Sequence, residues 1–453
     1  MKEESGAGEC LWEHVPLGEP APCDRYKHAC CFYGRSVYVH GGRENSSLND
    51  FWRYSIERNE WEQLKCTEEK LEGHSVVAYQ LVLQGVLYMF GGMMDSAFTQ
   101  GKCPLWMYEI DAAKWTLYQR QELETKCTSP ENRKGHSAVV YGSSMYIYGG
   151  YLDLKGPSSE FLAFNFETKT WSLVSSGEHG PKRRHLHSAV VYSTAMYLFG
   201  GLNVKDEQND FWKWNFDSNS WSSVRTSYGP PKTVGHSSIV CRDSMLIFGG
   251  SRPSCTPVNN LWKFQFNSQT WKKLAIPQDA SHPSKVFHSL IGMGCSFQPE
   301  HKHSSLNHLN HRKAEQKETS SKQVPYKLGY FYSQRTNKVS AISDGNELEM
   351  KTFTQSLDLP VYSCTLQTCF EDSLTNEVQS ILPTEKNLFS PFVEDKAICT
   401  AEIVEKDQGI QSQHISSLDM TVPICPDVLL LIGGKPLSNS RKITLWQMKP
   451  SNI

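Results

Sequence analysis

YVHGG (38–42), YMFGG (88–92), YIYGG (146–150), YLFGG (197–201), LIFGG (246–250) and LLIGG (430–434) are six short apolar runs, each closed by a glycine pair. Successive pairs lie 50, 58, 51 and 49 residues apart, and the sixth follows after 184. A histidine precedes each pair: His28, His74, His136, His187, His236 and His288. From histidine to second glycine is 14 residues in units 1, 3, 4 and 5, 18 in unit 2 and 146 in unit 6. Unit 6 therefore holds 132 residues more than the others, and 297–426 is an insertion of nearly that length.

Beyond the glycines each unit runs to an aromatic residue and, seven positions on, a tryptophan: Tyr54/Trp61, Tyr108/Trp115, Phe164/Trp171, Trp214/Trp221 and Phe264/Trp271. A polar turn such as DSNS separates the two. Two strands joined by a short turn explain a constant seven better than a helix does, and LWKFQF alternates as a strand would. Each unit thus reads as four strands, a to d. In unit 6 the chain stops at Ile453, two residues short of the closing tryptophan, while Trp12 is a closing tryptophan with no strands before it. The N-terminal strand is expected to complete the last unit and close a ring of six.

A period near 50 with this content resembles the kelch repeat, over residues 11–295 and 427–453, and implies an all-β, six-bladed propeller. The expected organisation is a flexible 1–10, the propeller over 11–296 and 427–453, and a mostly disordered insertion 297–426 in blade 6. The glycine pairs (Gly41–Gly42, Gly91–Gly92, Gly149–Gly150, Gly200–Gly201, Gly249–Gly250, Gly433–Gly434) read as structural, allowing backbone conformations and close approaches closed to other residues. So do the closing tryptophans Trp12, Trp61, Trp115, Trp171, Trp221 and Trp271, buried between blades with each indole N–H satisfied locally. One histidine per unit fits neither a single metal site nor a triad. Arg25, Arg133 and Arg184, each three residues before its histidine, match the arginine of the kelch consensus and read as loop braces.

The chain has 453 residues, a net charge of −2 and 14 cysteines with no CxxC or zinc spacing. That balance excludes a general nucleic-acid binder. With no signal-like N-terminus and no 18-residue apolar run, the expectation is a soluble intracellular protein, cytoplasmic and also nuclear. No phosphate loop, nucleophile elbow or HExxH is present, so no enzyme and no cofactor is expected. Kelch-type oxidases carry a copper centre, but their ligand pattern has no counterpart here. His301, His303, His308 and His311 form a histidine-rich tract with no cysteine or carboxylate at a recognised zinc spacing.

Function is expected in the loops. The b–c and d–a connections share one face, and a rigid scaffold positions them for binding. Arg43, Tyr151, Arg183, Arg225, Tyr228, Arg252, Lys435 and Arg441 are the candidate contacts, on a mildly basic rim that suits an acidic peptide or a chain terminus. Arg252 with Ser251 and Ser254 is the combination that suits a C-terminal carboxylate. The insertion leaves from the opposite face, with 8 Lys or Arg against 2 acids in 301–338 and 4 against 14 in 339–426. RYKHACCFYGRSVYVHGG (25–42) and HSAVVYGSSMYIYGGY (136–151) look like the first kelch blades of the leucine-zipper-like regulator, which serves a cullin ubiquitin ligase through BTB domains. No BTB-like region is visible in this sequence. The resemblance implies a protein-binding module. It leaves open a ligase substrate receptor with cullin-ligase components as partners, or a scaffold in vesicle trafficking or cytoskeletal assembly.

Overall fold

A computed structural model describes residues 12–81, 84–92, 105–118, 130–177, 179–251, 256–276, 282–297, 426–450 and 453. They form six four-stranded antiparallel sheets, each in the order a-b-c-d. Blade 1 is Ala29–Tyr33, Ser36–Arg43, Ser47–Ser55 and Glu60–Leu64. Blades 2 to 5 repeat the pattern, starting at Ser75, Ser137, Ser188 and Ser237. Blade 6 takes a from Ser289–Met293, b from Val428–Ile432, c from Leu445–Met448 and d from Glu13–His14, so the N-terminal strand closes the ring as the unpaired Trp12 required. Met293 pairs with Val428 across the point where the insertion leaves. Asp427 also accepts from the Ser296 N–H at 3.0 Å and its hydroxyl at 2.6 Å, which holds the two ends of the excursion together. The insertion itself, with its histidine tract and charge blocks, lies outside the described residues, as do residues 1–11.

Local chemistry explains each turn. In the c–d turns of blades 3 and 4, the side-chain oxygens of Asn165 and Asn215 accept two backbone N–H groups each, at 2.8–3.0 Å. These Asx turns fix the seven-residue spacing between aromatic and tryptophan. Successive side chains then point to opposite sheet faces, and both faces are covered by neighbouring blades. The core is accordingly six apolar layers, one per blade interface. Stacked pairs at the turn side join the end of strand a to the residue following strand c of the next blade: Tyr79–Phe166, Tyr141–Phe216 and Tyr192–Phe266, with centroids 4.1, 3.8 and 3.8 Å apart.

Two rings of backbone hydrogen bonds lock the blades at the other side. The second glycine of every pair donates its N–H to the carbonyl three residues before the next blade's histidine: Gly42 to Leu71, Gly92 to Arg133, Gly150 to Arg184, Gly201 to Thr233, Gly250 to Lys285 and Gly434 to Arg25, at 2.8–3.0 Å. The first glycine lies under the histidine ring. A Cβ on Gly433 would sit 2.5 Å from the Arg25 carbonyl oxygen and 2.7 Å from His28 Cε1. Nearer the axis, the residues just before the histidines form a closed cycle. The N–H of Lys27 donates to Phe287, Phe287 to Gly235, Gly235 to Leu186, Leu186 to Gly135, Gly135 to Gly73 and Gly73 back to Lys27, at 2.7–3.0 Å. All six have φ between 54° and 69°.

The tryptophan expectation needs one correction. Trp12, Trp61, Trp171 and Trp271 are buried, whereas Trp115 and Trp221 are half-buried. Trp115 donates to the Lys65 carbonyl at 2.8 Å, but the N–H groups of Trp12, Trp61 and Trp221 have no acceptor among the described residues. Ring packing dominates at these positions. Trp61 lies 4.8 Å from Tyr54, and Trp221 5.3 and 5.4 Å from Tyr148 and Phe161. Aromatic contact and apolar burial outweigh the roughly 1–3 kcal/mol that a buried N–H without an acceptor costs.

Candidate functional site

The loop face is built from two positions of the repeat. In blades 1, 3, 4, 5 and 6 the residue after the glycine pair forms a short antiparallel bridge with the residue two before the same blade's histidine: Arg43 with Tyr26, Tyr151 with Lys134, Leu202 with His185, Ser251 with Val234 and Lys435 with Val286. These bridges surround the closed hydrogen-bonded cycle, so their side chains rim the mouth of the central channel.

Three predicted contacts meet there. Lys435 Nζ stands 4.5 Å over the ring of Tyr26. Tyr151 lies under Lys134 Nζ at 5.4 Å and meets His185 edge-on at 5.3 Å. Arg43 donates to Glu72 at 3.1 Å, and Glu72 also takes Lys27 at 3.1 Å. Lys27 Nζ in turn lies 5.7 and 5.6 Å from the rings of Tyr26 and Phe287. Burial raises the Glu72 carboxyl, but Lys27 and Arg43 outweigh it and hold the group below the usual carboxylate range. Burial lowers Lys134, with Lys27 pushing the same way, and burial with Lys134 brings His185 down to about 4. The described residues of the mouth therefore carry a positive excess in a partly desolvated setting, where charge acts more strongly than in bulk water.

The other predicted contacts lie apart from this mouth. Arg183 and Arg225 are exposed on d–a loops, and Tyr228, 59% exposed, packs 5.2 Å from Trp262 of blade 5. Arg441 is exposed on the b–c loop of blade 6, its carbonyl accepting from Asp24 at 3.2 Å. Arg252 and Ser254 fall outside the described residues.

The arginines three before the histidines are turned inward. Arg25 and Arg184 each grip a carboxylate with two nitrogens, Asp50 at 2.6 and 2.7 Å and Asp210 at the same distances. Each also donates to the first glycine's carbonyl, at 3.1 and 2.9 Å. Arg133 does the same with Gly149, at 3.1 Å, and takes Glu160 at 2.7 Å. Fully buried, these three brace the b–c loop of their own blade. Tyr26, Lys27, Glu72, Lys134, His185 and Phe287 are the mouth residues that charge-based reading of the loops missed. Their signal was positional, because they occupy the two slots before the repeat histidine, which differ from blade to blade. Among the described residues, no three His, Cys, Asp or Glu side chains gather as metal ligands do.

Blade count, closure and glycine–histidine locks define a six-bladed propeller built to present loops around an axial mouth. Sequence comparison gives its family. The family model described as the KLHDC2/KLHL20/DRC7 Kelch-repeats domain matches residues 7–122 and 73–296, and the chain belongs to that family. It is 29% identical over 242 residues to host cell factor 2 of Homo sapiens, 44% of this chain and 29% of that protein. It is 29% identical over 192 residues to kelch domain-containing protein 3 of Bos taurus, 39% of this chain and 48% of that one. A leucine-zipper-like transcriptional regulator 1 homolog of Drosophila melanogaster matches at 28% over 199 residues, 42% of this chain and 20% of that protein. The matches thus span at most about half the length of these relatives. Kelch membership points to protein–protein interaction.

Proposed function

We propose that this propeller is a non-enzymatic interaction module, its partner seated on the loop face over the mouth of the channel. One observation carries the reading. Lys27, Arg43, Lys134, Tyr151, His185 and Lys435, drawn from four blades, converge on a single recess. The same side chains spread over unrelated surfaces would be ordinary solvated charge. Within that class we read the chain as a substrate receptor for a ubiquitin ligase, acting in the cytoplasm and nucleus. The likeness of 25–42 and 136–151 to the leucine-zipper-like regulator supports this finer role.

Proximity labelling in cells tests both levels. The wild type is expected to enrich a recurrent client together with cullin or elongin subunits. The triple variant Arg43→Glu, Lys435→Glu, Arg441→Glu is expected to lose that client at least about tenfold, since charge reversal in a complementary interface opposes encounter and retention. The variant's thermal midpoint serves as the folding control. Unchanged client recovery overturns the loop-face reading. Vesicle or cytoskeletal proteins without any ligase subunit would overturn the receptor role and leave a scaffold.

A further inference from the structure

We propose that the seam between blades 1 and 2 is an acid-sensitive latch, in which the buried pair His40 and His74 holds the connection 65–74 and proton uptake by both rings releases it before the rest of the propeller opens. The loop-face reading above does not depend on this latch.

Three departures from the repeat coincide at this seam. The residue after the repeat histidine is serine in blades 2 to 6, and Ser75 and Ser137 bond the next blade's histidine ring at 2.8 and 2.9 Å. Blade 1 has Ala29 in that slot, so His74 finds no serine. The residue before the glycine pair is Phe90, Tyr148, Phe199, Phe248 or Ile432 elsewhere, but His40 in blade 1. The slot three before the histidine holds a buried arginine gripping a carboxylate in blades 1, 3 and 4, and Leu71 in blade 2. Here imidazoles, which titrate near neutrality, stand in for a guanidinium, which does not.

The contacts run from blade to connection. His40 Nδ1 lies 3.0 Å from His74 Nε2, and His40 Nε2 lies 3.1 Å from the Thr67 hydroxyl. Thr67 also donates to the Glu69 carbonyl at 3.1 Å. All three side chains are buried. Phe51 of blade 1 and Trp115, on strand d of blade 2, pack their rings 5.9 and 5.8 Å from His40 and bring no charge.

The bond between the rings needs one N–H facing one lone pair. With a proton added to each ring, both facing nitrogens carry hydrogen, and two donors on two cations meet in a dry interface. The neighbouring charges do not relieve this. Arg25 faces His40 from the segment entering blade 1, and His28 and His136 face His74 from the entries of blades 1 and 3. Glu72 favours a proton on His74, but Lys27 and Arg43 engage it at 3.1 Å each. Burial first, then Arg25, presses His40 down to about 3, and burial with His40 holds His74 well below 6.5. Both rings are thus neutral while the seam is closed, and each takes a proton when it opens. Release of 65–74 takes Glu72 with it, so the mouth loses a carboxylate as pH falls.

Hydrogen–deuterium exchange on the full chain tests the latch, with rates corrected for the intrinsic effect of pH on exchange. Opening of 65–74 is expected to rise about fifteenfold between about pH 7.5 and 6, the linkage of two histidines that titrate near 6.5 once released. The segment 130–136, which carries one repeat histidine, should rise only about fourfold over the same range. His40→Phe places at this slot the residue that blades 2, 4 and 5 carry, and should bring 65–74 to the same fourfold. Its thermal midpoint at about pH 7.5 is the folding control, and if that falls the wild-type ratio of the two segments decides. A wild-type rise at 65–74 no larger than at 130–136 would overturn the latch. So would a folded His40→Phe variant that keeps the wild-type rise.

Discussion

Mild acid is expected to unfold this propeller while most of its carboxylates are still ionised. The six repeat histidines are buried at the blade interfaces as neutral rings. Burial, with smaller contributions from neighbouring arginines, lysines and histidines, pushes His28, His136 and His288 down to about 3 and His236, by burial, to about 4. His74 and His187 lie well below the ordinary value of 6.5. In the unfolded chain each would titrate near 6.5. Above that pH their contribution to stability is complete; below it the unfolded state takes up protons that the native state refuses. Each histidine then removes about 1.4 kcal/mol per pH unit, and six together on the order of 8 kcal/mol per unit. A total stability of about 5–15 kcal/mol would be exhausted within one to two units. Glu72 and Asp210, held below the usual carboxylate range, add to the loss at still lower pH. Tryptophan fluorescence against pH should show a steep transition between about pH 4 and 6, with roughly eight protons taken up per chain, His40 and His185 adding to the six repeat histidines. A native signal retained to about pH 3.5 without proton uptake would contradict the buried, neutral histidine ring.

The second large effect concerns the glycine pairs. Gly149→Ala is expected to cost about 3 kcal/mol or more, because two penalties coincide. Its φ of +66° is unfavourable for an L side chain, and its Cβ would lie 2.5 Å from the Arg184 carbonyl oxygen. That carbonyl accepts the Gly150 N–H, so moving it breaks the inter-blade lock. Gly142 separates the two penalties. It has φ +56° with nothing within 4 Å of a Cβ, so Gly142→Ala should cost only the left-handed conformation, about 1–2 kcal/mol. Urea unfolding of both variants measures the difference. Equal losses would show that backbone conformation, and not blade-to-blade contact, is what the first glycine supplies.

Much of this architecture was legible because a repeat states the same constraint six times. A histidine fourteen residues before a glycine pair leaves room for one hairpin, and Trp12 without strands of its own required the N-terminus to cross to Leu445–Met448. The structural role of Arg25, Arg133 and Arg184 was legible for the same reason. The proposed binding face was legible only as a face. Loop arginines were chosen by charge, yet charge cannot tell Arg43, engaged with Glu72 at the mouth, from Arg225, exposed on a d–a loop. Lys27 was overlooked because the slot before the histidine is glycine in three blades and reads as a spacer, and Lys134 because the slot before that one changes between aromatic, acidic, basic and aliphatic residues and shows no repeat signal. Its importance depends on the hydrogen-bonded cycle, which joins residues separated by up to 260 positions and leaves no local pattern. The tryptophan N–H groups show a similar limit, since composition gives the burial but not the acceptor.

The claim that partners sit over the channel mouth is tested most directly by hydrogen–deuterium exchange on the full chain, free and bound to the client recovered by proximity labelling. The account predicts new protection in the segments around 26–27, 43, 134, 151–155, 185–186, 202–205 and 435, with the a–b and c–d turns unchanged. Protection confined to those turns, or to 297–426, would contradict it.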